Sequence, residues 1–136
     1  MNGVALVLDK RLGKSLTIWT TVSSRILSAR LLHKHGHLII IVAYAPTKDH
    51  STTSKDEFYA SLESLICSVS PHDKLIVIGD FNAETGVTRV GFEQVIGNFG
   101  YENVNDISLR LLTMCSSTNL AVLGFWFKRK KIHRHS

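Results

Sequence analysis

The chain has 136 residues, which is enough for one domain with a hydrophobic core. Hydrophobic residues make up 44% of it and charged residues 20%, a composition that excludes an intrinsically disordered chain. No apolar run reaches membrane-spanning length and Met1 opens no signal peptide, so we expect an intracellular protein, nuclear or cytoplasmic, with no membrane partner. The net charge of +5 favours a polyanionic partner, though only weakly.

The two cysteines bear on the redox compartment. Cys67 and Cys115 both lie in apolar helical patterns, which are typical of buried thiols rather than of a disulfide. Two buried thiols favour a reducing compartment.

The first third of the chain predicts short strands at residues 3–8, 14–19 and 25–32. Residues 34–37 are typical of a hairpin turn, with Gly36 at its tightest point. Because nothing precedes the first strand, we expect the chain to begin inside a larger domain.

The middle of the chain predicts a strand–helix–strand unit. Residues 38–44 form a continuous apolar run, which indicates a strand buried on both faces, and Pro46 stops it. Ser54 and Glu57 have the spacing of a capping box at the start of a helix. Apolar residues then follow at helical spacing up to Pro71, namely Phe58, Leu62, Leu65, Ile66 and Val69. The next strand begins at Leu75.

The last third is less regular. Residues 83–104 are rich in glycine and predict a long loop. Asn105 or Asp106 caps a helix that runs to about Ser117, and residues 119–123 predict a strand. The chain then turns basic at residues 128–131.

The stretch from Leu75 to Asn82 carries the most chemistry. Four branched aliphatics indicate a central strand buried on both faces, which Gly79 ends. Asp80 and Asn82 then lie at the carboxyl end of the strand, where open α/β sheets place their ligands. An acid that takes a proton and an amide that donates hydrogen bonds suit the hydrolysis of a charged ester.

Gly79-Asp80-Phe81-Asn82 after an aliphatic strand resembles the signature of the endonuclease/exonuclease/phosphatase superfamily. Three more stretches in the same order support the resemblance: residues 42–47, residues 103–106 leading into 111–115, and residues 119–123. The chain is most similar to the abasic-endonuclease-like domains of non-LTR retrotransposons and their vertebrate relatives, the craniofacial development protein 2-like proteins. The resemblance covers nearly the whole chain.

The resemblance implies an α+β fold, a partial four-layer α/β/β/α sandwich of mixed β-sheets, with residues 1–136 as one incomplete domain. The implied activity is Mg²⁺-dependent nicking of a phosphodiester, with DNA as partner. The matching aspartate, Asp80, orients or deprotonates the attacking water, and Asn82 and Tyr44 hold the phosphate. The residues alone also allow simpler interpretations: a turn aspartate, an Asx-turn and a half-buried aromatic.

Four more residues are candidates for DNA binding. Asn103 and Asn105 match an asparagine pair near the DNA-facing loop of the family, although loop capping explains them nearly as well. Lys128 and Arg129 open the basic tail and suit phosphate contacts, although a solvated terminal arm is an equally good interpretation.

Other parts of the family pattern are absent from this sequence. The family uses an upstream asparagine, a metal-binding glutamate, a further aspartate and a Ser-Asp-His ending, and none can be placed here. Asp80 alone is a poor Mg²⁺ site, so we expect a fragment that is inactive by itself. Missing strands would also leave sheet edges uncovered, which favours self-association.

Three alternatives remain open. The first alternative is a non-catalytic module that binds nucleic acid or protein, and the second is a phosphatase of the same superfamily. The histidines around the hairpin, His33, His35 and His37, also allow a zinc site, but no fixed ligand spacing supports one.

Overall fold

The computed structural model describes residues 3–82, Gln94 and residues 106–123. Within them the chain forms three helices and four strands. In chain order these are α1 (Lys10–Gly13), β1 (Leu16–Ser23), β2 (Ile26–His33), β3 (Gly36–Tyr44), α2 (Thr52–Cys67), β4 (Lys74–Asp80) and α3 (Asp106–Ser117). The sheet is mixed, with strand order β1-β2-β3-β4, and together with the helices it confirms the α+β class.

Two tight hairpins build the antiparallel part of the sheet. Ser23 pairs with Ile26 and His33 pairs with Gly36, so each hairpin has a two-residue loop. Gly36 has a φ of +138°, a backbone conformation that glycine adopts without a Cβ penalty. The predicted strands at 25–32 and 38–44 and the turn between them are therefore confirmed.

The predicted strand–helix–strand unit is also confirmed. β3 and β4 are parallel, in register from Leu38 beside Lys74 to Tyr44 beside Asp80, and α2 connects them. Phe58, Leu62 and Ile66 are buried on α2 as expected. The capping box is misplaced, because the helix begins at Thr52 and Ser54 already lies inside it.

β4 differs from its prediction. Ile76 and Ile78 are 46% and 44% exposed, whereas Leu75 and Val77 are half-buried, so one face of this strand is open. β3, in contrast, has no exposed residue. β3 has a strand on each side, whereas β4 is the last strand of the described sheet rather than a central one, so the side chains of β4 have strand neighbours on one side only.

Two other predicted strands are absent from the described residues. Residues 3–8 have no regular structure; instead Asp9 caps the short α1, accepting a hydrogen bond at 2.7 Å from the Leu12 backbone N–H. The strand at 119–123 is replaced by a helix end. Asn119 takes a left-handed φ of +59°, and the Leu120 N–H donates to the Cys115 carbonyl at 2.8 Å, which closes α3.

The chain divides into two compact units. The first takes residues up to Pro46 and Thr52–Phe81, and the second takes Thr47–Ser51 and the chain from Asn82 onward. Ile26, Ile41 and Leu62 are fully buried in the first unit. In the second, α3 forms as predicted, whereas the predicted loop at 83–104 lies outside the described residues apart from Gln94.

The two cysteines are both free. Cys115 is buried as predicted, and this burial raises the pKa of its thiol from 9.0 to about 11. Cys67 is exposed, contrary to the prediction, because it is the last residue of α2 and lies beyond the buried stripe of that helix.

Candidate functional site

The carboxyl ends of β3 and β4 bring two of the predicted site residues together. Tyr44 and Asp80 are in-register neighbours on the two parallel strands, and the Ala45 N–H donates to the Asp80 carbonyl at 2.8 Å. Paired residues of adjacent strands share one face of a sheet, so both side chains belong to the same face. Tyr44 is half-buried and Asp80 is exposed. We call this pair of strand ends the Tyr44–Asp80 edge.

Gly79 fixes how closely the two strands approach at this edge. It pairs with Ala43 and has a φ of +151°, and a Cβ on Gly79 would lie 1.7 Å from the Ala43 carbonyl oxygen. Such an approach is possible for glycine alone. The prediction that Gly79 ends the strand is wrong, since β4 continues to Asp80. Its role is steric: it lets the backbone of β4 lie against β3 immediately before the carboxylate.

Arg25 is a residue of this edge that the sequence interpretation missed. Its Nη1 donates to the Tyr44 carbonyl at 3.1 Å, and its guanidinium carbon lies 5.4 Å from the centre of the Tyr44 ring. The Tyr44 N–H in turn donates to the Arg25 carbonyl at 2.9 Å. The signal that could have identified Arg25 is the register of β2 and β3. When residues are counted outward from the two-residue loop at Lys34 and His35, Arg25 lies opposite Tyr44.

Asn82 belongs to the second compact unit. Its φ is +49°, and it is half-buried. Asparagine is enriched in this left-handed conformation, which is the geometry of the turn interpretation. A phosphate-donating role for its amide remains a prediction.

The other predicted binding residues lie outside the described residues. These are Asn103, Asn105, Lys128 and Arg129. Their roles in DNA binding therefore remain predictions.

The donor set does not fit a metal ion within the described ranges. No group of three or more His, Cys, Asp or Glu side chains there could hold one. Asp80 offers one carboxylate, whereas Mg²⁺ takes six oxygens in near-ideal octahedral geometry. The described residues therefore do not supply the ligands of a Mg²⁺ site.

The hairpin histidines contact protein groups. His33 accepts a hydrogen bond at Nδ1 from the His35 backbone N–H at 3.2 Å. The Nδ1 of His37 lies 3.1 Å from Nη2 of Arg30 and 3.9 Å from Oδ1 of Asp73. This second cluster lies at the start of β3, at the opposite end of the sheet from the Tyr44–Asp80 edge.

No helix in the described part of the chain is both long enough and apolar enough to cross a membrane.

Comparison with known proteins identifies similar sequences. The chain is similar to craniofacial development protein 2 of Bos taurus, with 30% identity over 128 residues, which are 94% of this chain and 21% of that protein. It is 29% identical to craniofacial development protein 2 of Tragulus javanicus, over 94% of this chain and 22% of the relative. The chain thus spans about a fifth of the length of these relatives, and the predicted resemblance to them is confirmed. No protein-family model matches the chain.

Proposed function

We propose that this chain is an endonuclease-like domain segment of the endonuclease/exonuclease/phosphatase superfamily whose Tyr44–Asp80 edge binds the phosphodiester backbone of DNA. The observation that supports it best is the lateral pairing of Tyr44 with Asp80. These two residues are distant in sequence, and each lies in a stretch that resembles a motif of the superfamily. The similarity to craniofacial development protein 2 along 94% of the chain is consistent with this proposal.

The chemistry of the edge follows from its side chains. A phenol hydroxyl donates a hydrogen bond to a phosphate oxygen, and an exposed carboxylate accepts a proton from an attacking water. In the complete family domain Asp80 would serve as that base, while Tyr44 would hold the phosphate. The resemblance implies Mg²⁺ for that complete domain, and the described residues of this chain contain no group of three or more donors that would hold it.

One carboxylate without the remaining family motifs gives an edge that binds without cutting. We therefore expect no plasmid nicking by the chain alone, and we expect duplex DNA binding that weakens steeply as salt rises. Tyr44→Phe should weaken this binding because a hydrogen bond to phosphate is lost. Asp80→Ala should strengthen it several-fold, because a negative charge beside the phosphate is removed.

Asp73→Ala is the matched control. Asp73 immediately precedes β4, whereas Asp80 ends it, so the same charge is removed from the other end of the same strand. DNA affinity that responds equally to both substitutions would contradict a phosphate site at the Tyr44–Asp80 edge. Nicking by the wild-type chain that disappears in Asp80→Ala would show that the chain is catalytically sufficient.

The catalytic part of the proposal needs the longer domain. When the chain is joined to the rest of a family domain that nicks DNA, Asp80→Ala should lower the nicking rate by orders of magnitude while circular dichroism stays unchanged. An unchanged nicking rate would remove Asp80 from the catalytic assignment.

A second candidate, a non-catalytic interaction module, is favoured by a different observation. Ile76 and Ile78 are exposed side by side on one face of β4, and exposed apolar patches are typical of protein contacts. Salt separates the two functions: electrostatic DNA binding weakens as salt rises, whereas an apolar protein contact does not.

A further inference from the structure

We propose that Arg25 is a positioning residue, which holds Tyr44 in the orientation that phosphate binding requires. The inference rests on the proposed function of the Tyr44–Asp80 edge and extends it to a residue that no family motif in this sequence includes. Three contacts join Arg25 to Tyr44, and each fixes a different part of the tyrosine.

The backbone contacts fix the strand. The Tyr44 N–H donates to the Arg25 carbonyl at 2.9 Å, and the Tyr44 carbonyl accepts from Nη1 of Arg25 at 3.1 Å. Both polar groups of the Tyr44 backbone are thus held by a single residue. Since the ring follows from the backbone by one rotatable bond at Cα, holding the backbone restricts where the hydroxyl lies.

The third contact fixes the ring itself. The guanidinium carbon lies 5.4 Å from the centre of the Tyr44 ring, within the range of a cation–π interaction. Arg25 is half-buried, so this attraction is less screened by water than a surface pair.

Arg25 is itself anchored in the turn between β1 and β2. Its backbone N–H lies 3.1 Å from Oγ of Ser23, and the hairpin loop there has two residues. The loop at Lys34 and His35 sets the register of β2 and β3 and so places Arg25 opposite Tyr44, and the contact with Ser23 holds the backbone of Arg25 at that place.

The residue type matters as much as the place. A planar guanidinium lies against a ring with one surface and donates from its edge at the same time, whereas a lysine ammonium is a point charge. Arg25→Lys therefore keeps the charge and loses part of the geometry. Arg25→Gln removes the charge and keeps a donor group.

The first measurement follows the Tyr44 ring without any DNA. The chain has three tyrosines, so ¹³C-labelled tyrosine gives few ring signals, and Tyr44→Phe identifies the one from Tyr44. Arg25→Gln should shift that signal clearly and Arg25→Lys should shift it less. Arg30→Gln is the control, since it removes the same charge from β2 while its guanidinium contacts His37. A Tyr44 signal that Arg25→Gln leaves in place would overturn the inference.

The second measurement is a double-substitution cycle on duplex DNA binding. Arg25→Gln and Tyr44→Phe should each weaken binding about tenfold, the size of one lost hydrogen bond to a charged group. If Arg25 acts through Tyr44, the double variant should bind about as well as Tyr44→Phe alone. Losses that multiply would mean that Arg25 acts on DNA directly, which overturns the positioning role.

The two measurements separate this inference from the function on which it rests. Suppose that Arg25→Gln shifts the Tyr44 ring signal but Tyr44→Phe binds DNA as well as the wild-type chain. This result would refute the phosphate site, and the contact of Arg25 with Tyr44 would then have no role in binding. If circular dichroism shows that Arg25→Gln does not fold, both measurements are made on Arg25→Lys instead. A Tyr44 ring signal that is unchanged in Arg25→Lys would also overturn the proposal.

Discussion

The two ends of β3 use the same kinds of residue in different ways. Each end has a glycine with positive φ, Gly36 at the start and Gly79 beside the finish, and each has an arginine from the β2 side of the sheet. At the start, the exposed Arg30 contacts His37, which is half-buried and lies beside Asp73. At the finish, Arg25 lies against the ring and carbonyl of Tyr44.

The difference lies in packing. A Cβ on Gly36 would have its nearest neighbours at 3.8 Å, ordinary contact, whereas one on Gly79 would overlap the Ala43 carbonyl. The start of β3 therefore tolerates change in a way that the Tyr44–Asp80 edge does not. Tight backbone packing beside an exposed carboxylate is typical of a site whose geometry matters for function.

The largest expected effect tests this difference directly. Gly79→Ala should destabilise the chain by about 3 kcal/mol or more, since a strained φ is combined with a backbone clash. Gly36→Ala should cost about 1 kcal/mol, since only the strain remains. Urea unfolding followed by circular dichroism measures both, and equal losses would contradict the packing difference.

The next effect compares the two arginines. Arg25→Gln should lower the free energy of unfolding by about 1–2 kcal/mol, because a half-buried cation–π contact and a hydrogen bond are lost. Arg30→Gln should lower it by at most about 0.5 kcal/mol, as an exposed surface substitution does. The same unfolding experiment decides, and a larger loss for Arg30→Gln would reverse the comparison.

A smaller effect concerns the open face of β4. Ile76→Thr with Ile78→Thr should change stability by about 1 kcal/mol or less, since both side chains are largely exposed. We expect any self-association of the wild-type chain, seen as a concentration-dependent sedimentation coefficient, to decrease in this variant. Leu32→Thr, on exposed β2 surface, is the control and should leave self-association as it is.

The smallest effect concerns the reactivity of the Cys115 thiol. Burial raises the pKa of Cys115 to about 11, so at pH 8 about one thiol in a thousand is ionised and able to react. Its rate with a thiol reagent should therefore rise about tenfold per pH unit up to pH 11, while the exposed Cys67 reacts at once. A Cys115 rate that does not rise with pH would contradict the raised pKa of this thiol.

Local patterns in the sequence were sufficient for much of the first compact unit. A two-residue hairpin loop and a strand–helix–strand unit are encoded by residues near one another, so both could be predicted. The exposure of Ile76 and Ile78 could not, because an aliphatic run looks the same in a central strand and in the last strand of a sheet.

The candidate site was predictable in part for a similar reason. Asp80 and Tyr44 lie in motifs that the sequence shows, whereas their pairing depends on the register of the parallel strands β3 and β4. Arg25 has no motif, since its contact depends on the register of a hairpin rather than on neighbouring residues. The prediction of a strand at 119–123 was wrong because Asn119 adopts a left-handed backbone conformation, which the apolar pattern of the following residues does not indicate.

Because the loop at Lys34 and His35 has two residues, the contact between Arg25 and Tyr44 depends on the number of residues between them. Deleting a single residue from β2 or β3 would shift their pairing by one step and turn the following side chains to the opposite face. The segment from Arg25 to Tyr44 should therefore accept many exchanges of residue but no change in length. When this chain is aligned with a distant relative, a gap inside that segment would be evidence that the relative lacks the same contact.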